Sequence, residues 1–393
     1  MQKKLIAPFV SVAAMIMAAP AAMAQDDVRE GFSPRATVGV EHDSNVLRLP
    51  SASGPKGDTV LNVGVGLSFN KRYGLQRIRA EVDANTYRYA DQSSLNYNTI
   101  NYALAWDWSI TQRFHGVVSA ERRQYREVTS DPLFLTNLVG RRTERTELAE
   151  GIFEVAGPWR VLAGVQHTKA ESSQPRSYDA SPDINQYHVG VGYEFASGSN
   201  ISARLRKGDG EYTDPSFIVA NRDFEDREAE LALHWELTGK TRVDARIAHR
   251  KREHSGAPGL DFSGMVGNAT VAWDITGKTR LVAGAMRDIS ATGIATGGHV
   301  VSDRIFIGPK WQATGKTSLY ARWDHIKRDW DGIPFASPSY GRSETIDTAQ
   351  IGADWEALRT ITVSPYIRYE RMKSSVSSGY RANVYGVAAK ASF

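Results

Sequence analysis

Counting back from the last residue in steps of two gives Phe393, Ala391, Ala389, Val387 and Tyr385, all apolar or aromatic. The interleaved positions, Ser392, Lys390, Ala388, Gly386 and Val384, are small apart from one cation. A period of two with one greasy face predicts a β-strand that meets different surroundings on its two sides. The same alternation recurs along the chain. Leu61, Val63, Val65, Leu67 and Phe69 alternate with Asn62, Gly64, Gly66 and Ser68. Ile78, Ala80, Val82 and Ala84 alternate with Arg77, Arg79, Glu81 and Asp83. Ile100, Tyr102, Leu104, Trp106 and Trp108 alternate with Asn101, Ala103, Ala105 and Asp107. A one-residue slip would exchange the faces completely, so register is strongly specified.

About eighteen such segments can be marked between Arg35 and Phe393, or 16 if the weakest two, Thr143–Val155 and Ile184–Phe195, are loops. Their connections alternate in length. Short turns lie at 71–74, 111–113, 157–159 and 197–200, and at three TGK triplets beginning at Thr238, Thr276 and Thr314. Longer polar stretches separate them at 46–58, 130–142, 173–183, 213–223 and 329–342. Short turns at one end and long loops at the other predict an all-β fold, a transmembrane antiparallel up-and-down β-barrel with its short turns periplasmic. Both termini then lie on the periplasmic side, which requires an even strand number. Trp235, Trp273 and Trp311 each precede a TGK turn, and Trp106, Trp108 and Trp355 sit similarly before other turns. They are expected to form an interfacial aromatic girdle.

Composition sharpens the picture. Lys3 and Lys4, an apolar run to Ala19 and Ala22-Met23-Ala24 have the layout of a secretory signal peptide cleaved after Ala24. Residues 25–34 then read as a short periplasmic segment and 35–393 as an outer-membrane barrel. No other stretch approaches the roughly 20 apolar residues of a membrane helix. There is no cysteine, which removes disulfide scaffolds and thiol chemistry. The formal charge of +4 includes the two leader lysines, so the remaining chain is close to balanced and gives no reason to expect nucleic acid.

Motifs for catalysis are weak. A phosphate loop needs a glycine five residues before the GK glycine, where this chain has His234, Ala272 and Lys310. The nine histidines are dispersed without metal-ligand spacing, and no G-x-S-x-G elbow occurs. Neither an enzyme, a metal nor a cofactor is expected. The inward-phase charges are the more informative set. Charge on the lipid face costs about 2–4 kcal/mol for Arg or Lys near the midplane. The lumen should therefore receive Arg77, Arg79, Arg123, Arg204, Arg206, Arg242, Arg246, Arg280, Arg304, Arg322, Arg368 and Lys390. Acidic partners such as Glu81, Asp83, Glu228, Glu230, Asp324, Asp354 and Glu370 share that phase. Taken singly, such residues read as paired ladders that stiffen the wall. Taken together, they read as a wet, mildly cationic path for a polar or acidic solute, with arginine suited to carboxylates. Tyr87, Tyr89, Tyr320 and Tyr366 share the inward phase and could stack on sugar rings. Glu41 to Pro50, EHDSNVLRLP, reads as a side-chain-stabilised turn.

EHDSNVLRLP, followed by LNVGVGLSFNKRYGLQRIRAEVDANTYRYADQSSLNYNTINYALAWDW, resembles the β-barrel porins of the EpsL type. The resemblance is strongest over Phe32 to Tyr125 and at the final strand. Leu75-Gln76-Arg77 stands where that family carries R-Q-R. The resemblance implies an outer-membrane step in exopolysaccharide secretion, a passive export conduit through a polar, Arg-rich lumen. It also implies periplasmic and inner-membrane polysaccharide export proteins as partners, alongside the polymer itself. Outer-membrane lipid and lipopolysaccharide, and the barrel-assembly machinery acting on the strand ending at Phe393, complete the expected partners. A porin for small-solute uptake and a loop-plugged structural barrel are the alternatives the same architecture supports.

Overall fold

The computed structural model describes residues 30–131, 136–173, 181–213, 223–256, 258–291, 298–333, 335, 340–376 and 378–393. The leader and residues 25–29 lie outside these. The strands are β1 (Gly31–Asp43), β2 (Asp58–Tyr73), β3 (Gln76–Tyr89), β4 (Tyr97–Ser109), β5 (Phe114–Asp131) and β6 (Thr136–Ala156). They continue with β7 (Trp159–Ser172), β8 (Pro182–Glu194), β9 (Asn200–Tyr212), β10 (Asp223–Thr238), β11 (Thr241–His254) and β12 (Phe262–Thr276). The last six are β13 (Thr279–Ala291), β14 (His299–Gln312), β15 (Thr317–Asp331), β16 (Ser343–Leu358), β17 (Ile361–Ser374) and β18 (Tyr380–Ser392). Each pairs antiparallel with its chain neighbour in a single 18-stranded sheet. β18 pairs with β1 from Arg35↔Ser392 to Asp43↔Val384, which closes the ring and leaves no free edge.

Three boundaries differ from the sequence expectation. β1 starts at Gly31 because Gly31 and Phe32 pair with Asn70 and Phe69, so part of the expected periplasmic segment is barrel wall. The polar stretch 130–142, expected as a loop, is largely ladder. β5 and β6 pair without interruption to Asp131↔Thr136, since polar residues projecting beyond the membrane need no apolar face. The two segments that left the count open, β6 and β8, are both full strands.

The fold is inside out relative to a soluble protein. Leu61, Val63, Val65, Leu67, Val165, Val189, Leu205, Leu231, Ile247 and Ile351 are all exposed on the outer face. Trp106, Trp159, Trp273, Trp311 and Trp355 stand exposed near the short-turn end, where interfacial rings are favoured. The TGK turns share one device: the Thr238, Thr276 and Thr314 hydroxyls accept from the amides of Lys240, Lys278 and Lys316 at 3.1, 3.2 and 3.2 Å. Small apolar clusters occur toward the long-loop end, one of them built on Val46, Val60 and Tyr89.

Candidate functional site

Alternation sends one side chain of every two into the lumen, and there charge dominates. On β9–β11 the inward phase is even-numbered. Glu230, whose side chain is 0% exposed, takes ion pairs from Arg204 at 3.1 Å, Arg206 at 3.1 Å and Arg246 at 2.6 Å. Glu228 receives Arg206 at 3.7 Å, Arg250 at 3.0 Å and Arg246. The network continues to Asp288 through Arg250 at 3.1 Å, and to Glu150 through Arg204 at 3.5 Å. Toward the long loops, Arg252 grips Asp226 with two bonds of 2.6 Å and donates to the Tyr212 hydroxyl at 3.1 Å. Five arginines thus meet five carboxylates between β6 and β13, so the cluster is neutral and cross-braced.

Glycine makes the long reaches possible. Arg35 of β1 crosses β2 to bond Glu81 and Asp83 of β3, passing over Gly66, where a Cβ would come within 2.6 Å of the arginine Nε. His188 of β8 reaches Glu150 of β6 at 2.8 Å over Gly164 on β7, where a Cβ would lie 2.9 Å from the imidazole Nε2. Tyr366 donates to Glu41 across Gly386 of β18. These inward glycines are the gaps through which side chains two strands apart can meet.

The wall at β14–β17 is different. Arg304 and Arg322 share the single carboxylate Asp324, with Nε bonds of 2.9 and 2.6 Å. Arg322 lies directly opposite Gln350, and Gln350 directly opposite Arg368. Adjacent strands are about 4.8 Å apart, so the two guanidinium-bearing positions are about 10 Å apart along the wall. Arg368 makes no ion pair among the described residues, and its Nε and Nη2 are buried without a hydrogen-bond partner. Its neighbour Glu370 is already taken by Arg48 at 3.2 Å and by the Tyr380 hydroxyl at 2.5 Å. On β1–β3 a single arginine, Arg35, pairs with two carboxylates, Glu81 and Asp83, beside Arg77 and Arg79 of the same face.

The other expected lumen residues divide similarly. Arg79 pairs with Asp107 at 2.8 Å, Arg123 with Glu121, and Arg242 with Glu236 at 3.2 Å. Arg77 donates to the Asn70 side chain at 2.8 Å, and Arg280 lies 3.9 Å from Asp274. Lys390, opposite Thr37 and Thr362 near the short-turn end, is exposed. Arg35, Arg160, Arg250, Arg252 and His188 share the inward phase but were missed by the sequence selection. All five lie within segments already marked as strands, so the alternation of β1, β7, β8 and β11 was itself the available signal. The tyrosines are committed to the wall: Tyr87 stacks on Tyr97 at 4.4 Å, and Tyr89 packs under Val46.

The segment after β1 is more than the simple turn expected of it. Asn45 ties the first long loop to the start of β18, donating to the carbonyls of Leu49 at 2.8 Å and Arg381 at 3.0 Å. The chain turns back at Arg48, which has a φ of 54° and is 2% exposed. Its guanidinium bonds Asp43 at 2.7 Å and Glu370 at 3.2 Å, so the first long loop is pinned to the inner wall. Burial pushes this guanidinium down, but the charges of Glu370 and Asp43 outweigh it and hold the pKa above the ordinary arginine value. Val46, fully buried, seats on Val60 and Tyr89. The turn chemistry was legible; its long-range partners were not.

Solved structures share this architecture. OpdK of Pseudomonas aeruginosa, determined with vanillate, aligns with TM-score 0.50 at 11% identity, covering 92% of this chain and 99% of that one. A BenF-like porin from Pseudomonas fluorescens Pf-5 gives the same TM-score, identity and coverage. OccK2 (OpdF) of Pseudomonas aeruginosa aligns with TM-score 0.50 at 11% identity, covering 92% and 97%. At that identity the likeness is one of fold. Among curated proteins none matches the chain. The family model described as "Putative beta-barrel porin 2" matches residues 32–393. A closed 18-stranded barrel with an apolar outside and a charged lumen, matched along its whole length by that model, is a porin-type outer-membrane β-barrel, and the chain belongs to this family.

Proposed function

We propose that the barrel is a diffusion porin for small acidic solutes, with carboxylates steered along the β14–β17 wall. The carrying observation is the local surplus there: Arg304 and Arg322 share one carboxylate, Asp324, and Arg368, in register with Arg322, makes no ion pair among the described residues. A planar guanidinium binds carboxylate through paired N–H donors. An 18-stranded barrel leaves an aqueous lumen, and a local surplus of guanidinium groups on its wall sets up a field that attracts and orients an anionic solute. The vanillate of the OpdK structure is itself a carboxylate, which accords with this class.

Passive export of an acidic exopolysaccharide calls for a predominantly basic pathway. Most inward arginines instead face carboxylates, and the candidate sugar-stacking tyrosines are packed, so small-solute passage is the better supported reading. The test is conductance of the purified barrel in a planar bilayer, with salts of small aromatic and aliphatic carboxylates compared with oligouronates. The expected result is carboxylate current with weak oligouronate block. Tight oligouronate block with no carboxylate current, together with periplasmic polymer in a deletion strain, would return the export reading.

A further inference from the structure

The ladder between β4 and β5 stops short. Its pairs run from Ser109↔His115 to Tyr102↔Arg122, although β4 begins at Tyr97 and β5 continues to Asp131. Beyond Arg122 the strands part, and the Asn101 side chain enters the break to accept from the Gln124 amide at 2.7 Å. Asn101 shares the inward phase of Asp107, so β5 leans toward the lumen there. Arg126 shows the result. It shares the outward phase of Val118, which is 42% exposed, yet it is itself 8% exposed. Its guanidinium lies 5.9 Å from the ring centre of Tyr89, an inward residue of β3. Continuing the β4–β5 register would set Arg126 opposite Asn98, between Tyr97 and Thr99, which both have the inward phase.

Among the described residues, nothing satisfies Arg126. It makes no ion pair there, and its Nε and Nη2 are buried without a hydrogen-bond partner. Glu127 beside it faces the other way, toward Arg142 at 3.7 Å. Glu41 and Asp43 are engaged by the Tyr366 hydroxyl and by Arg48. Nε and Nη2 form one edge of the guanidinium, and that edge matches the two oxygens of a carboxylate through parallel N–H donors. Thr99 is a second orphan, 3% exposed with its Oγ1 unpartnered. A buried charge without a partner is strongly disfavoured, so the edge calls for an anion from outside the chain. We propose that the parting of β4 and β5 is a binding site for a small aromatic carboxylate. The Arg126 edge takes the carboxylate, the Thr99 hydroxyl donates to it, and Tyr89 and Tyr97 wall the ring. No ladder pair joins β4 to β5 beyond Tyr102, so the break widens for the ligand at the cost of the Gln124–Asn101 bond. Chloride meets two donors with one centre and gives the tyrosines nothing to pack on. The inference extends the acidic-solute reading, but it concerns binding at a second wall and needs no passage of current.

The test is the dissociation constant of benzoate for the full barrel in neutral detergent, from ligand-observed NMR. It is measured in the Arg322→Gln/Arg368→Gln background, where the β14–β17 guanidinium surplus is gone. Arg126→Gln should weaken binding at least about tenfold, and Arg126→Lys, which keeps the charge but loses the two-donor edge, nearly as much. Thr99→Val should weaken it about threefold. Benzyl alcohol, neutral and similar in shape, should bind at least about tenfold more weakly than benzoate. Heat-modifiable migration on gels checks that each barrel is folded, and Arg126→Lys carries the test if Arg126→Gln does not fold. No benzoate binding before Arg126 is replaced, or unchanged binding in the folded Arg126 variants, would overturn the proposal. Equal affinity for benzyl alcohol would overturn it too. Benzoate binding that depends on Arg126, in a barrel that passes no carboxylate current, would instead sink the porin reading and leave this site standing.

Discussion

Two stretches of the same lumen wall use arginine in opposite ways. On β9–β11 every inward arginine has carboxylates at ion-pair distance, and Glu230 alone is held by three of them. On β14–β17 two arginines share Asp324, and Arg368, in register with Arg322, has no such partner among the described residues. The first arrangement satisfies its charges internally and braces neighbouring strands. The second leaves electrostatic capacity for something that passes through. The lesson is that an inward arginine reveals its role only through the balance of acid around it, because a satisfied guanidinium and an available one follow the same alternation.

The comparison can be broken most forcefully at its rigid side. Glu230→Gln leaves Arg204, Arg206 and Arg246 around an uncharged amide. It is expected to lower stability by about 3–5 kcal/mol, read as a shift in the urea midpoint of heat-modifiable migration. Arg48→Ala strips the cation from buried Asp43 and Glu370. Roughly 3 kcal/mol of destabilisation should follow there, confined to the first long loop and seen as protease cleavage between residues 44 and 57 with the barrel intact. Gly66→Leu places a side chain where Arg35 crosses to Asp83. An overpacking cost of about 1–3 kcal/mol is expected, with the urea midpoint again the readout. Arg368→Gln removes a charge that makes no ion pair among the described residues and acts on Glu370 only at longer range, so it should cost at most about 1 kcal/mol while reducing preference for anions in conductance.

The strand count, the lipid-facing positions and the inward phase were readable from period-two alternation, because lipid outside and water inside enforce it on every strand. Polar extensions beyond the membrane obey no such rule, which is why β5 and β6 run past their expected ends. Partners were harder to read. Arg35 meets Asp83 only because Gly66 lies between them on β2, and Arg48 meets Glu370 only because the ring closes β18 onto β1. Neither relation has a signature in local spacing. The difference between Arg204, which has two carboxylates at ion-pair distance, and Arg368, which has none among the described residues, lies wholly in such long-range register.

The most direct measurement is the reversal potential of the purified barrel in a planar bilayer under a salt gradient, compared with Arg322→Gln/Arg368→Gln. The wild type should prefer anions, and the double variant, still folded by heat-modifiable migration, should shift toward cations at comparable single-channel conductance. A reversal potential unaltered by removing both arginines would contradict the claim that the β14–β17 surplus steers the solute.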